Sequence, residues 1–518
     1  MLRAYTAAAV RAAEQPLLDA GRGPELMQRA AYGLAMGVVA VLRRRGRGVY
    51  GSQVALLIGS GNNGGDALFA GAWLAARGAR TTALLTSART HAGALAAFTK
   101  AGGRAQLAPA DSDAFCVAAG FSDVIVDGLL GTGGRGGLRE PAAGVVARLC
   151  KIMSGATAGR GAGAGSRPAV VACDLPSGVD ASTGEVRGPV LAAALTVTFG
   201  AAKTGLLAAP GAQLCGEVAV VGLGIADGLG EPDVLRLEAA DLAAMLPRPE
   251  AADHKYTRGV AGIVAGSARY PGAALLAVAA ASACGPGMVR YLGPPAVAAA
   301  LHVRSPEAVC SGDAPEAVRV QAWLAGPGIN GDAEQQGRAR QALASGLPTA
   351  VDAGALDLVS GAGDREQSRL VLTPHAGELA ALLTRLGTET GRSEVEAAPL
   401  AAAREAAALT GATVLLKGPT TFVVSPGGAT YAQGDGTPSL ATAGSGDTLG
   451  GILVALLAMA RGGPPEAGTD PRDTLAATAA MAAALHGRLG QDGAGAPLNA
   501  GMLAGRIPAA WKELSGAS

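Results

Sequence analysis

The sequence predicts a two-domain α/β protein in which each domain is built on a parallel sheet. Three observations lead there. The chain has 518 residues, more than one ordinary core accommodates. Two separate series of continuous apolar, β-type runs alternate with helical patterns, as expected of strands buried on both faces by crossover helices. Between the two series lies LPRPEAADHKYTRG, rich in proline and charge, where the alternation lapses. The expected domains are therefore 1–240 and 241–518.

In the first half the strand candidates are VALLIG (54–59), TTALLT (81–86), DVIVDG (123–128), PAVVACD (168–174), ALTVTFG (194–200) and EVAVVGLG (217–224). Their continuous apolar character predicts a doubly wound sheet. Residues 151–167, which contain SGATAGRGAGAGS, are expected to form a low-complexity loop with nothing to bury. The second half restarts with GVAGIVAGS, an alanine-rich helix, GMVRYLG, AWLAGPGI, TAVDAGAL, RLVLTPH, and TVLLKGPTTFVV turning at SPGG. The helix TLGGILVALLAMA after Asp447 is apolar all round and too short for a membrane, so a buried position is expected.

The formal net charge of +1 argues against a broad nucleic-acid footprint. The uncharged stretch 270–289 reaches bilayer length, but Pro271, Gly272, Gly285, Pro286 and Gly287 interrupt it, so no membrane span is expected. Arg11 and Glu14 break any signal-peptide pattern, and a cytoplasmic location is expected. The six cysteines lack CxxC or metal-ligand spacing and read as reduced core residues.

Ligands of open parallel sheets sit beyond the carboxyl ends of the strands. Three polar loops of the first half follow strands: GSGNNGGD (59–66), DGLLGTGGRGG (127–137) and DLPSGVDASTG (174–184). GNNGGD fits neither the dinucleotide fingerprint nor the P-loop, and Asp66 reads locally as a helix N-cap. The amides of Gly131–Gly137 could cradle a phosphate, because glycine permits close backbone approach. Asn63, Asp127 and Ser177 supply hard oxygens suited to a hard cation.

These three motifs, in this order, closely resemble the NAD(P)H-hydrate epimerase domain, and LMQRAA (26–31) is similar to that family's N-terminal helix. The resemblance implies a Rossmann-like fold that interconverts the R and S forms of NAD(P)H hydrated at nicotinamide C6, with potassium. It also implies that Asn62, Asn63, Gly64, Gly65, Asp66 and Gly131, Thr132, Gly133, Gly134, Arg135, Gly136, Gly137 contact the hydrate. Asn63, Asp127 and Ser177 would ligate potassium, and Asp174 would lie near the reacting nicotinamide as general acid/base. One departure is Ala67, where the family usually has glycine.

In the second half, ATAGSGDTLGG (441–451) leads into the apolar helix. Gly444 and Gly446 let backbone amides face an anion at the helix N-terminus, while Asp447 suits a base or a Mg²⁺-mediated contact. Together with GSARYPGA (266–273), AGPGI (325–329), VDAGAL (351–356), LTPHAGE (372–378) and LLKGPTT (415–421), this segment resembles the ribokinase-like ADP/ATP-dependent NAD(P)H-hydrate dehydratase. That resemblance implies that Ala273, Gly328, His375 and Asp447 face the hydrate, with Asp447 as base. Lys417, Gly418, Pro419, Thr420, Thr421 and Gly446 would hold the adenine nucleotide. Departures are Pro286 and Ala443.

The leading expectation is a bifunctional repair enzyme acting on NADHX or NADPHX, with K⁺, Mg²⁺ and ADP or ATP, no nucleic-acid partner, and a homo-oligomeric state. The alternative is a ribokinase-like small-molecule kinase carrying a non-catalytic N-terminal binding or scaffold domain.

Overall fold

The computed structural model describes the chain apart from residues 135, 156–166, 362–364, 461–469, 492–495 and 517–518. It separates into two compact units, Arg3–Asp233 and Val234–Ser518 with Met1–Leu2.

The first unit contains helices α1 (Ala7–Asp19) and α2 (Gly23–Arg44) followed by strand β1 (Gln53–Ile58). Helix α3 (Asn62–Ala75), β2 (Arg80–Leu85), β3 (Arg104–Leu107) and β4 (Val124–Gly128) come next. Helix α4 (Ala142–Gly155), β5 (Ala169–Cys173), β6 (Leu195–Phe199) and β7 (Glu217–Val221) complete the sheet. Its order is β3-β2-β1-β4-β5-β6-β7, all pairs parallel. The order reverses direction between β1 and β4, the switch point at which a ligand crevice opens in a doubly wound sheet.

Alternate residues of one strand enter opposite cores. Val54, Leu56 and Ile58 of β1 face the layer of α1, α2 and α3, whereas Ala55 and Leu57 face the layer containing Phe115 and Val145. Both sets are buried, which is why these strands read as unbroken apolar runs. Strand β3, RAQL, escaped notice because it is a largely exposed edge with no apolar pattern. The loop expected over 151–167 is corrected at its start, since α4 continues to Gly155 with Val145, Val146 and Leu149 buried. The rest of that segment, 156–166, lies outside the described residues.

The second unit contains β8 (Val260–Val264), α5 (Pro271–Ala283), β9 (Met288–Leu292), β10 (Val309–Ser311) and β11 (Ala322–Ala325). Strands β12 (Thr349–Val351) and β13 (Leu370–Leu372) lead to α6 (Ala376–Arg385) and β14 (Thr413–Leu416). Then follow β15 (Thr421–Val424), β16 (Thr430–Gln433), α7 (Ser445–Met459) and α8 (Pro471–Leu489). The sheet order β10-β9-β8-β11-β12-β13-β14 is parallel, and β15 and β16 extend it antiparallel. The run TVLLKGPTTFVV is therefore two strands broken at Lys417–Thr420, which places that turn at a sheet end.

Helix α7 is buried from Thr448 to Met459, as its all-round apolarity requires. It packs on α5 so closely that a Cβ on Gly451 would stand 2.3 Å from the Ala277 carbonyl oxygen. The uncharged stretch 270–289 resolves into α5 and the turn entering β9. Among the described residues, no helix is long and apolar enough to cross a membrane. All six cysteines are unpaired.

Candidate functional sites

At the switch point of the first unit a cavity of about 880 Å³ opens. Its lining includes Asn62, Asn63 and Asp66 from α3, Gly131, Thr132, Gly133 and Gly134 after β4, and Asp174 after β5. The expected loops thus meet, but not every expected residue faces the cavity. Gly64 serves packing: a Cβ there would lie 2.2 Å from the Gly59 carbonyl oxygen, so only glycine lets α3 start this close to β1. Gly65 backs onto His91 and Met27, and Gly137 onto the Arg187 backbone. Gly136, in a left-handed conformation, is likewise absent from the cavity lining. Arg135 lies outside the described residues.

Asp66 is not the helix cap. Gly61 occupies that position, and Asp66 lies within α3, buried, with its Oδ1 lacking any hydrogen-bond partner. Burial first, then the charges of Asp174 and Glu14, push its carboxyl well above the ordinary range. Ala67 turns away from the cavity, packing where a Cβ on Gly128 would meet it at 2.5 Å, so this departure bears on helix–strand packing.

Beneath the cavity, Ser177 donates from N and Oγ to Asp127 at 2.8 and 2.6 Å, and the Leu130 amide donates to Ser177 Oγ at 2.9 Å. Asn63 is anchored by donating Nδ2 to the Cys173 carbonyl at 3.0 Å. Asp127 is buried, and burial raises its carboxyl despite the hydrogen bonds from Ser177 and Leu129. A cation would supply the positive charge that its hydrogen-bond donors do not. A Cβ at Gly131 would fall 2.9 Å from both Asn63 Oδ1 and Asp174 Oδ2, so that glycine seats the loop between the two oxygens.

Asp174 takes a left-handed backbone, φ 68°, a strained choice for a residue with a side chain. Its Oδ1 accepts from Lys203 Nζ at 2.6 Å and Thr198 Oγ1 at 3.1 Å. Its Oδ2 accepts from the Thr132 amide at 2.7 Å and the Thr132 hydroxyl at 2.6 Å. Burial alone would raise the carboxyl, but the Lys203 charge and these donors outweigh it and hold it below the usual range. A carboxylate has about four acceptor positions, and four donors fill them. Lys203 escaped the sequence reading because a lone lysine in AAKTG carries no local signal; only the fold brings it to Asp174.

In the second unit His375 follows β13 and Lys417 follows β14, the two joined by an isolated bridge, with Asp352 after β12, whereas Ala273 lies at the start of α5 and Gly328 follows β11. Lys417 Nζ pairs with Asp352 Oδ1 at 2.8 Å and approaches Glu378 Oε2 at 3.8 Å. A Cβ on Gly446 would lie 3.4 Å from that ammonium, which therefore stands before the first turn of α7. Asp447, in that turn, is raised to about 6 by burial and by Asp352, with Lys417 opposing. Lys417 itself is raised because Asp352 and Glu378 outweigh the desolvation that would lower it.

His375 has a structural duty: Nδ1 accepts from the Gly377 and Glu378 amides at 3.0 and 3.2 Å, capping α6. Its ring remains 56 % exposed, so it can still face a ligand. Gly328, left-handed at φ 68°, fits against Ala273, whose Cβ would be 2.8 Å from a Cβ added there. Thr420 is buried in the β14–β15 turn. Ala443 is exposed and Pro286 half-buried in its turn. Asp352, Glu378 and His486 were missed as individuals. The first two stand inside the motifs VDAGAL and LTPHAGE, whereas His486, hydrogen-bonded to Ser445 at 3.0 Å, had no sequence signal.

The model of the NAD(P)H-hydrate dehydratase family matches residues 261–510, and that of the YjeF-related protein N-terminus matches 23–205. The bifunctional NAD(P)H-hydrate repair enzyme of Mycobacterium tuberculosis is 43% identical over 458 residues, spanning 88% of this chain and 89% of the relative. The chain belongs to the bifunctional NAD(P)H-hydrate repair enzyme family. A more distant member, from Moorella thermoacetica, is 32% identical over 91% of this chain and 89% of its own length. Among solved structures, the ADP/ATP-dependent NAD(P)H-hydrate dehydratase of Bacillus subtilis, co-crystallised with ATP and Mg²⁺, is 28% identical. It covers 54% of this chain and 99% of its own, with a TM-score of 0.48. The family expected from the motifs is thus the family found, over both halves of the chain.

Proposed function

We propose that this chain repairs hydrated NAD(P)H, interconverting the R and S epimers in the first unit and dehydrating the S form in the second with ADP or ATP. The observation that supports it best is Asp447 at the mouth of α7, lifted to about 6 by burial, beside the Lys417–Asp352 pair. A base performs best when its pKa lies near the working pH. Asp447 takes the proton of the 6-hydroxyl as that oxygen attacks the terminal phosphoryl group. Phosphate, a far better leaving group than hydroxide, departs with the electron pair of the C6–oxygen bond, and loss of a proton from C5 to solvent then forms the C5=C6 double bond of the dihydronicotinamide.

The amides opening α7, with Gly446, and Lys417 provide the positive field for the nucleotide phosphates, with Gly418, Pro419, Thr420 and Thr421 forming the turn beside them. Ala273, Gly328 and His375 border the hydrate. Mg²⁺ would come with the nucleotide, and because Asp352 is paired with Lys417, Asp447 is the carboxylate that would face it. The ion would spread the charge of the transferring group.

In the first unit Asn63, Asp127 and Ser177 would hold potassium, which would compensate the buried Asp127 charge. Asn62, Asn63, Asp66 and Gly131–Gly134 border the hydrate. Asp174, kept ionised by Lys203 and Thr132, places a fixed negative charge where the ring becomes cationic as the C6–oxygen bond breaks. The chain acts as a soluble enzyme of the cytoplasm and assembles as a homo-oligomer in this reading.

The test is incubation of a mixed-epimer hydrate with K⁺, Mg²⁺ and either nucleotide, following reduced-nicotinamide absorbance and inorganic phosphate. Full recovery with stoichiometric phosphate is expected. A halt at the S share would remove the epimerase assignment, and a stable phosphorylated product would favour a small-molecule kinase.

A further inference from the structure

We propose that Asp66, and not Asp174, is the group that passes the proton during epimerisation. The proposal rests on the epimerase reading of the first unit and assigns the chemistry within that cavity. Asp174 and Asp66 line the same cavity, but their surroundings are opposite. Four donors occupy Asp174, including the buried Lys203 ammonium at 2.6 Å, so no acceptor position is left to receive a proton. Asp66 is as deeply buried, yet its Oδ1 has no donor at all and nothing pairs its charge. A buried carboxyl without partners is costly as an anion and is stable as the neutral acid, which is the form that can donate.

The acidic groups around Asp66 act in the same direction. Glu14 and Arg11 come from α1, Asp174 follows β5, His91 caps the helix Ala92–Lys100, and Lys203 stands behind Asp174, all lining the cavity. Cys173, buried at the end of β5, also feels the Asp66 charge. Lys203 is spent on Asp174, while Glu14 and Asp174 both repel an ionised Asp66.

The step balances without a further reagent. Asp66 gives its proton to the C6 hydroxyl, the carbon–oxygen bond breaks with its electron pair on the departing water, and the ring-nitrogen lone pair forms the C=N bond of a cation. Asp174 faces that cation as a permanent carboxylate. Addition of water to either face of C6 returns the nitrogen lone pair and delivers the surplus proton to Asp66.

The experiment measures R-to-S conversion by the full chain at saturating potassium, over a range of pH, with dehydration of pure S hydrate assayed on the same samples. The wild type should lose epimerase activity as pH rises and Asp66 ionises. Asp66→Asn should lower kcat about 100-fold or more, with KM little changed and the alkaline loss abolished. It removes no hydrogen bond, so its melting temperature should not fall, and S-hydrate dehydration verifies the fold. Glu14→Gln, which removes a neighbouring charge but keeps the acid, should move the alkaline loss to lower pH. Retention by Asp66→Asn of wild-type kcat, or of the alkaline loss, would overturn the proposal. A wild-type chain without epimerase activity would instead overturn the reading beneath it.

Discussion

Both sites seat a lysine against an aspartate that follows a parallel strand, the buried Lys203 on Asp174 at 2.6 Å and the half-buried Lys417 on Asp352 at 2.8 Å. The difference lies in which carboxylate the lysine takes. In the first unit it takes Asp174 and leaves Asp66 unpaired, with its carboxyl raised well above the ordinary range by burial and by the charges of Asp174 and Glu14. In the second it locks Asp352 and leaves Asp447, raised to about 6, as the group that titrates. One ion-pair device therefore recurs in both sites, and in the proposed reading the neighbouring unpaired acid carries the proton, as donor in one and acceptor in the other.

The comparison breaks most sharply at Asp447. Asp447→Asn should cut nucleotide-dependent dehydration by about 100- to 10,000-fold while R-to-S conversion continues, measured by separate assays of the two reactions. Lys203→Met comes next. It strands a buried carboxylate, which should cost about 3–5 kcal/mol in the denaturant unfolding of the first unit, and adding Asp174→Asn should recover much of that loss. Gly64→Ala should cost about 1–3 kcal/mol and depress epimerisation, because the new Cβ meets backbone at 2.2 Å and α3 must retreat from β1.

Asp352→Asn sharpens the comparison. Asp447 must be ionised to act as base, so dehydration should fall as pH drops below about 6. Asp352 is a cause of that elevation, and its neutralisation should move the midpoint of the pH–rate profile downward. The smallest effect is expected for His375→Ala. Loss of the α6 cap should cost about 1 kcal/mol of stability, read by thermal unfolding.

Much of the fold was legible because strands buried on both faces are apolar throughout, as in VALLIG and TVTF, and because loop chemistry follows them directly. The exposed edge RAQL was illegible for the opposite reason: a strand that buries nothing leaves no pattern. The candidate residues were legible wherever a motif concentrates them within a few positions, as in LLKGPTT and ATAGSGDTLGG. Asp66 was read both as a hydrate contact and as an N-cap; the cap is Gly61, and burial raises the aspartate's carboxyl well above the ordinary range.

The sequence by itself determined the two α/β units, the loops that line their strand ends, the family, and the donor types available. Tertiary structure alone decided the charge state of each carboxylate. Asp174 and Lys203 are 29 residues apart, and Lys417 and Asp352 are 65 apart. A carboxyl's proton affinity depends on desolvation and on charges within a few ångströms, and neither exists until the sheet has assembled.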